Sequence, residues 1–384
     1  GCLFGPASFL SQSEHAKFHR RIFWNGITRI PRSLWMVWVI ASIVYWYLIL
    51  GWFRLLRFSW MIARNPSLLP TQNRLKKALN LIVLTFYYGV NPNTYLLFGL
   101  SRVPKKKWLS FVFPQQEHVW HDVYPGKRER NSEYLAAENM LRNKELFHQK
   151  CTDANIAVPR TICKLSSGLA TKALIERPVF LKPVEGSQMR GCLSLIYNES
   201  GKNYRLTGKN WNNQFVDITT EQEILEAIEN VLDFQDMLMQ PLLVNAASIS
   251  QIFESSGLLT LRVVSVIQDS KPVMIAAVVE VPSDTVGRWN LFAVDPGTGQ
   301  LISNSNSELY GRLVEQKLPQ WDEITATVIK AHQNFQEIQS IGWDVCLSAD
   351  GPIIIEGNVK WGITQIQNTY QKGILELLPQ SLDR

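Results

Sequence analysis

Gly342-Trp343-Asp344-Val345-Cys346-Leu347-Ser348-Ala349-Asp350-Gly351-Pro352-Ile353-Ile354-Ile355-Glu356-Gly357-Asn358 reads as two apolar runs around Ala349-Asp350-Gly351-Pro352. An Asp-Gly pair between such runs favours a tight turn, so the stretch predicts an antiparallel hairpin turning near residue 350. Pairing symmetric about 350 sets Asp344 opposite Glu356, and opposed residues have Cβ atoms roughly 5 Å apart. Side chains alternate with period two, which puts Asn358 on the Glu356 face. Asp344, Glu356 and Asn358 therefore converge as three oxygen-bearing side chains. Two facing carboxylates with no basic residue in the stretch repel each other, and a hard divalent cation between them relieves that repulsion. A surface hairpin with one exposed acid on each strand has the same pattern, so the hairpin alone leaves both readings open.

Upstream of the hairpin the chain alternates in an α+β plan from residue 131 onward. A helix is expected at 131–151, strands at 161–164, 178–184 and 192–197, and a helix at 221–232. Strands at 237–243, 259–268 and 272–281 and a helix at 321–340 complete it. Val179-Phe180-Leu181-Lys182-Pro183-Val184-Glu185-Gly186-Ser187-Gln188-Met189-Arg190-Gly191 delivers Lys182 near a strand end, then a loop with Gly186, Ser187 and Gly191. Glycines let backbone N–H groups approach phosphate oxygens closely, and the lysine supplies a compact positive charge. A lysine before a Gly-rich turn is also common on plain hairpins, so this loop is weak evidence by itself.

In order along the chain stand Lys144 in Arg142-Asn143-Lys144-Glu145-Leu146-Phe147, Lys182 with its loop, and Leu238-Met239-Gln240-Pro241-Leu242. Thr260-Leu261-Arg262-Val263-Val264 and the closing hairpin follow. That series resembles the ATP-grasp superfamily, in its sugar-transfer-associated branch, over roughly residues 75–384. The resemblance implies an ATP-grasp fold, two α+β lobes clasping a nucleotide, preceded by an N-terminal helical region. It implies ATP and magnesium as cofactors. Lys144 and Lys182 would contact phosphates, Gly186, Ser187 and Gly191 would lie in a closing lid, and the backbone at Gln240 and Leu242 would receive the adenine edge. Arg262 and Lys182 would be catalytic, and Asp344, Glu356 and Asn358 would hold magnesium. Two departures stand out: Arg288-Trp289-Asn290-Leu291-Phe292-Ala293-Val294-Asp295 replaces an expected Gly-Gly pair after an Asn, and Lys360 follows Asn358 where a smaller residue is expected.

With 384 residues, 46% of them hydrophobic and 19% charged, the chain is long enough for two or three packed units. The divisions expected are a hydrophobic segment at 1–65, a helical region at 66–130, and the ATP-grasp portion at 131–384 with its lid at about 160–237. A polar stretch, Tyr124-Pro125-Gly126-Lys127-Arg128-Glu129-Arg130, marks the second boundary. The net charge of +6 comes without a recognisable nucleic-acid motif, and phosphate ligands or a membrane surface account for it equally well. Cys2, Cys151, Cys163, Cys192 and Cys346 are odd in number and widely spaced, which argues against a disulfide framework and for a reducing compartment. His118-x-x-His121 reads as a solvated pair, since no third ligand is near. The chain begins at Gly1, so it reads as processed or incomplete there, and Gly5 stands where a myristoylation signal wants Ser or Thr.

Residues 33–53 (SLWMVWVIASIVYWYLILGWF) are uncharged over the length of a bilayer-crossing helix. Tryptophans lie towards both ends, and Arg29, Arg32, Arg54 and Arg57 bracket the run. The expectation is a membrane anchor on the inner face of the cytoplasmic membrane, with the rest of the chain in the cytoplasm. A helix buried in the protein or in an oligomer interface is the alternative. Arg54–Arg64 looks amphipathic and suited to the interface. A second uncharged run, 78–101, is broken at Gly89 and Asn91-Pro92-Asn93 and reads as two helices with a turn.

The chemistry implied is carboxylate activation: an ATP-dependent ligase joining a small-molecule or peptide carboxylate to an amine through an acyl phosphate. Its place would be in building a cell-surface polysaccharide, a peptide or a specialised metabolite. A kinase on the same fold and a membrane-tethered scaffold that binds nucleotide without turnover are the alternatives.

Overall fold

The computed structural model describes residues 5–27, 31–68, 73–123, 131–168, 178–186, 189–198, 203–255, 257–283, 289–302 and 313–378. Eleven strands form two antiparallel sheets. The smaller lobe holds β1 (Cys163–Leu165), β2 (Val179–Pro183), β3 (Leu193–Asn198), β4 (Asn203–Lys209), β5 (Phe215–Ile218) and β6 (Met237–Pro241), ordered β1-β6-β2-β3-β4-β5. The larger lobe holds β7 (Thr260–Gln268), β8 (Lys271–Pro282), β9 (Trp289–Val294), β10 (Ser340–Ser348) and β11 (Gly351–Asn358), ordered β11-β10-β7-β8-β9.

The hairpin β10–β11 pairs Asp344 with Glu356, the register that symmetry about residue 350 predicts. Nearer the turn the register differs, because Val345 faces Ile354 and Ser348 faces Gly351, leaving a two-residue loop at Ala349-Asp350. Ile355 is the extra residue, a bulge that restores the predicted pairing where the acids stand.

Each sheet is covered by the apolar stripe of a helix. Ile224, Ile228 and Val231 of Glu221–Leu232 pack on the small sheet against Leu181, Leu193, Leu206 and Met239. On the large sheet, Ile324, Val328 and Ala331 of Trp321–Gln333 cover Leu261, Val263 and Trp343, joined by Leu141 and Phe147. The expected single helix at 131–151 is two, Ser132–Arg142 and Lys144–Asp153. Asn143 separates them, and its side chain caps the second by accepting from Glu145 N and Leu146 N. β4, β5, β9 and the helices Ala247–Phe253 and Ile363–Tyr370 are additional to the expected elements.

The opposite face of the large sheet is covered from both ends of the chain. Val264, Val266, Ala276 and Val278 pack against Ile363, Ile366 and Tyr370, but also against Phe18, Ile22, Val112 and Trp120. Gln367 accepts from Val112 N and donates to Val112 O at 2.8 and 2.7 Å. Glu376 takes Lys107 Nζ at 2.9 Å and Ser110 Oγ at 2.8 Å. His121, expected to be solvated, is instead buried with its ring edge-on to Trp361, and burial lowers its pKa to about 4.

Trp35–Arg64 is one continuous helix of 30 residues with a mean hydropathy of 1.9 over its most apolar window, of which 11% is buried. Leu55, Phe58 and Ile62 enter a separate core with Leu81, Leu84, Tyr95, Phe98, Trp108 and Phe111. The second uncharged run forms a helix from Arg74 through Tyr87, its last turn widened, and then a short helix Thr94–Leu97 after the break.

Candidate active site

A cleft of about 1150 Å³ lies between the lobes. Lys164, Gly186, Trp211 and Phe234 face it from the small lobe. Arg262, Glu356, Asn358 and Lys360 face it from the large one, and Lys144 lines it at the start of its helix.

The hairpin bulge aligns Asp344 with Glu356, and β7 on the other side of β10 sets Arg262 opposite Asp344. The basic partner absent from the hairpin itself thus comes from the neighbouring strand. Arg262 Nε lies 2.6 Å from Asp344 Oδ1 and 3.9 Å from Glu280 Oε1. The short contact is a charge pair without hydrogen-bond alignment, since neither Arg262 Nε nor Asp344 Oδ1 has a hydrogen-bond partner. Asn358 Nδ2 donates to Glu356 Oε1 at 3.0 Å. Burial drives the Asp344 carboxyl well above its ordinary range, with the Glu356 charge adding to the rise and Arg262 opposing it. Burial also pushes Glu356 upward, but Lys144, hydrogen bonds with Asp344 and Asn358, and Lys182 outweigh it and leave Glu356 below its ordinary value. Between them the pair keeps one proton on Asp344 and one charge on Glu356.

Those residues fit a hard cation in one respect. Asp344 Oδ1 is a buried acceptor without a hydrogen-bond partner, and two carboxylates with an amide oxygen form the donor set that magnesium accepts. Among the described residues no three His, Cys, Asp or Glu side chains group closely enough to hold a metal unaided. The set therefore suits an ion that brings phosphate oxygens and water as its remaining ligands. Gly357 between Glu356 and Asn358 is required by packing: a Cβ there would lie 2.9 Å from both Leu141 Cδ2 and Trp343 Cζ3.

Behind this rim is a buried basic layer. Lys182 is 2% exposed, with its Nζ 3.3 Å from His148 Nε2. Burial lowers the Lys182 pKa to about 8, the Glu356 charge working against that and Lys144 with it. His148 stands one helical turn after Lys144, on the same face. Burial and the neighbouring lysines hold its ring neutral, with a pKa of about 3, although the Ile355 backbone at the bulge bonds to it. With Nε2 accepting from the lysine, the ring proton sits on Nδ1, where Thr161 Oγ1 at 3.4 Å accepts it. Lys144 Nζ donates to Gly186 O at 3.0 Å, tying the helix to the loop after β2. Gln235 clips that loop, accepting from Glu185 N at 2.9 Å and donating to Glu185 O at 2.6 Å.

Of the residues singled out from the sequence, Lys144, Gly186, Arg262, Glu356 and Asn358 line the cleft, while Lys182 and Asp344 lie just behind it. Gly186 has φ of +142° with open space around it, which leaves room for a ligand. Gly191 is a packing glycine in the small lobe, where a Cβ would sit 2.8 Å from Pro183 Cγ. Ser187 lies outside the described residues. Gln240 and Leu242 are not among the described residues of the cleft wall: Gln240 is buried with its amide 3.2 Å from His148 Nδ1. Arg288 lies outside the described residues, and Trp289–Val294 forms β9, a regular edge strand on β8. His148, Gln235 and Glu280 were not anticipated. The i, i+4 spacing of Lys144 and His148 was the one available signal, whereas the other two depend on contacts between distant strands.

The family model described as sugar-transfer associated ATP-grasp matches residues 127–382. No curated protein matches the sequence. Among solved structures, the chain is similar to D-alanyl-alanine synthetase A of Vibrio cholerae at 14% identity, covering 64% of this chain and 65% of that one, with a TM-score of 0.39. The D-alanine–D-alanine ligase of Bacillus anthracis complexed with ATP matches at 10% identity, 64% and 67% coverage and 0.39. The L-amino acid ligase of Bacillus licheniformis matches at 13%, 64% and 48%, and 0.36. The chain thus spans about half to two thirds of the length of these structures, and likenesses this distant fix no substrate.

Proposed function

Because the chain belongs to the sugar-transfer associated ATP-grasp family, we propose that it is an ATP-dependent carboxylate–amine ligase acting through an acyl phosphate. The observation that supports this reading is the convergence of Lys144, Lys182, Arg262, Asp344, Glu356 and Asn358 around one cleft. Nothing around them is set up as a protein nucleophile: burial pushes the Cys192 thiol up to about 11 and holds His148 neutral. Phosphoryl transfer to a substrate carboxylate needs no such group, only positioned charge.

A substrate carboxylate oxygen attacks the γ-phosphorus of ATP, the bond to the bridging oxygen breaks, and ADP leaves. The amine then attacks the acyl carbon, inorganic phosphate departs with the carboxylate oxygen, and the ammonium proton is lost to solvent. Lys144 and Lys182 offset phosphate charge, and the Gly186–Gly191 loop acts as the lid. Arg262 is the residue aimed at charge that develops on the transferring group. Asp344, Glu356 and Asn358 would hold magnesium, which when bound supplies neutralisation of the phosphate oxygens. The backbone at Gln240 and Leu242 is the proposed adenine edge, reached once the small lobe moves against the large one.

Supplying a candidate carboxylate labelled with ¹⁸O tests this reading. Label appearing in inorganic phosphate supports the acyl phosphate. Phosphorylation of a hydroxyl acceptor favours a kinase, and absence of ADP with every acceptor favours a non-catalytic nucleotide binder. We further propose that residues 33–53 attach the chain to the cytoplasmic face of a membrane, because their helix is so little buried.

A further inference from the structure

The two halves of Trp35–Arg64 have different surroundings. No residue of Trp35–Tyr45 is buried. From Trp46 onward the helix is docked: Trp46 Nε1 donates to Thr85 O at 3.0 Å and Tyr47 OH donates to Phe86 O at 2.7 Å. Widened turns at Trp46–Leu50 and Val83–Tyr87 meet there, and carbonyls released by the widening accept those donors. Gly51 permits the close approach, since a Cβ would lie 2.9 Å from Phe86 Cε1. The undocked rod of 11 residues rises about 17 Å at 1.5 Å per residue. A crossing needs roughly 30 Å.

The docked half is apolar on its outer side as well. Trp52, Leu56 and Trp60, spaced i, i+4, i+8, are 48, 66 and 57% exposed on the side away from Leu55, Phe58 and Ile62. Arg57 and Arg64 are exposed beside them, with the Arg64 guanidinium 3.7 Å from the Trp60 ring centre. The partner helix shows a second exposed stripe, Leu75, Leu79 and Ile82, next to exposed Arg74 and Lys76. Between Glu14 and Glu117 there is no Asp or Glu, while fifteen of the 39 Lys and Arg residues fall in that interval and acids outnumber bases elsewhere. An apolar face bordered by cations alone complements an anionic bilayer, which offers acyl chains to one and phosphates to the other.

We infer that Trp35–Arg64 and Arg74–Ile82 seat the protein in the plane of one leaflet of an anionic bilayer and do not cross it. This rests on the proposal that the segment meets a membrane, and names the lipid and the geometry.

The test uses the full chain and sealed vesicles of phosphatidylcholine with or without phosphatidylserine, with an epitope tag ahead of Gly1. Expected are flotation about tenfold stronger with phosphatidylserine, and digestion of the tag by protease added outside. Trp52→Glu, Leu56→Glu and Trp60→Glu together should abolish flotation with ATP binding intact, because the buried stripe is untouched. Arg57→Glu with Arg64→Glu should remove the preference for phosphatidylserine. Flotation with a protected tag would mean a crossing helix, overturning the in-plane geometry while keeping the membrane reading. Equal flotation on both vesicles would overturn the lipid assignment. No flotation, with a dimer that the triple variant dissociates, would overturn both readings in favour of a second copy as the cover.

Discussion

Strand Ser340–Ser348 and helix Trp35–Tyr45 are similar in length and almost equally apolar, yet every residue of the strand is buried and none of the helix is. In the strand, burial is the rule and the exception carries chemistry: Asp344 is a carboxyl carried into the interior, raised by burial and met by Arg262. In the helix, exposure of apolar side chains is itself the exception, and it marks a surface in want of a cover. Hydrophobicity alone separates neither case. What separates them is whether the neighbouring sequence supplies a partner face.

Breaking the site half of that contrast should have the largest effect. Glu356→Gln or Asp344→Asn should cut ADP formation about a hundredfold or more with the fold intact, measured under saturating acceptor beside circular dichroism. Wild-type turnover in both would remove the acids from the mechanism. Arg262→Ala should lower the rate more than nucleotide affinity and Lys182→Ala the reverse, read from kcat and KM separately.

The burial contrast can be sharpened within one helix. Phe58→Ala, in the docked half, should cost about 3–5 kcal/mol in denaturant unfolding. Val37→Ser, in the free half, should stay within about 0.5 kcal/mol. Equal effects would show that the free half is covered in solution.

A smaller effect concerns Lys182. Its pKa of about 8 lies below the lysine value, so it is charged below pH 8 at a cost to the empty fold, and neutral above. Phosphate binds the charged form. Nucleotide affinity should therefore be level below pH 8 and fall by up to about tenfold per pH unit above it, with a proton taken up on binding. Calorimetry in two buffers of different ionisation enthalpy measures that proton. An affinity flat to pH 10 would mean that Lys182 does not meet the phosphates.

The hairpin was legible because Asp350-Gly351 names its turn and apolar runs flank it. The bulge was not, because Ile353-Ile354-Ile355 has no alternation from which to read the slip. The paired acids were visible in one strand pair, whereas Arg262 and Glu280 join them from strands whose order no local pattern reveals. β4 and β5 escaped because Asn203–Lys209 and Phe215–Ile218 are half polar and half exposed, as outer strands of a sheet tend to be. At Gln240 the strand was legible but the direction of its side chain, turned towards His148, was not.

Gln367 reaches back 255 residues to grip the Val112 backbone. During synthesis at roughly 5–20 residues per second, Val112 would wait some 13–50 s for that grip to arrive. Phe18, Ile22 and Trp120 wait as long for the last helix that shares their core. A nascent chain that exposes so much apolar surface first and completes its cover last has an early choice of shelter, between chaperone and bilayer, before the lobe that binds nucleotide exists.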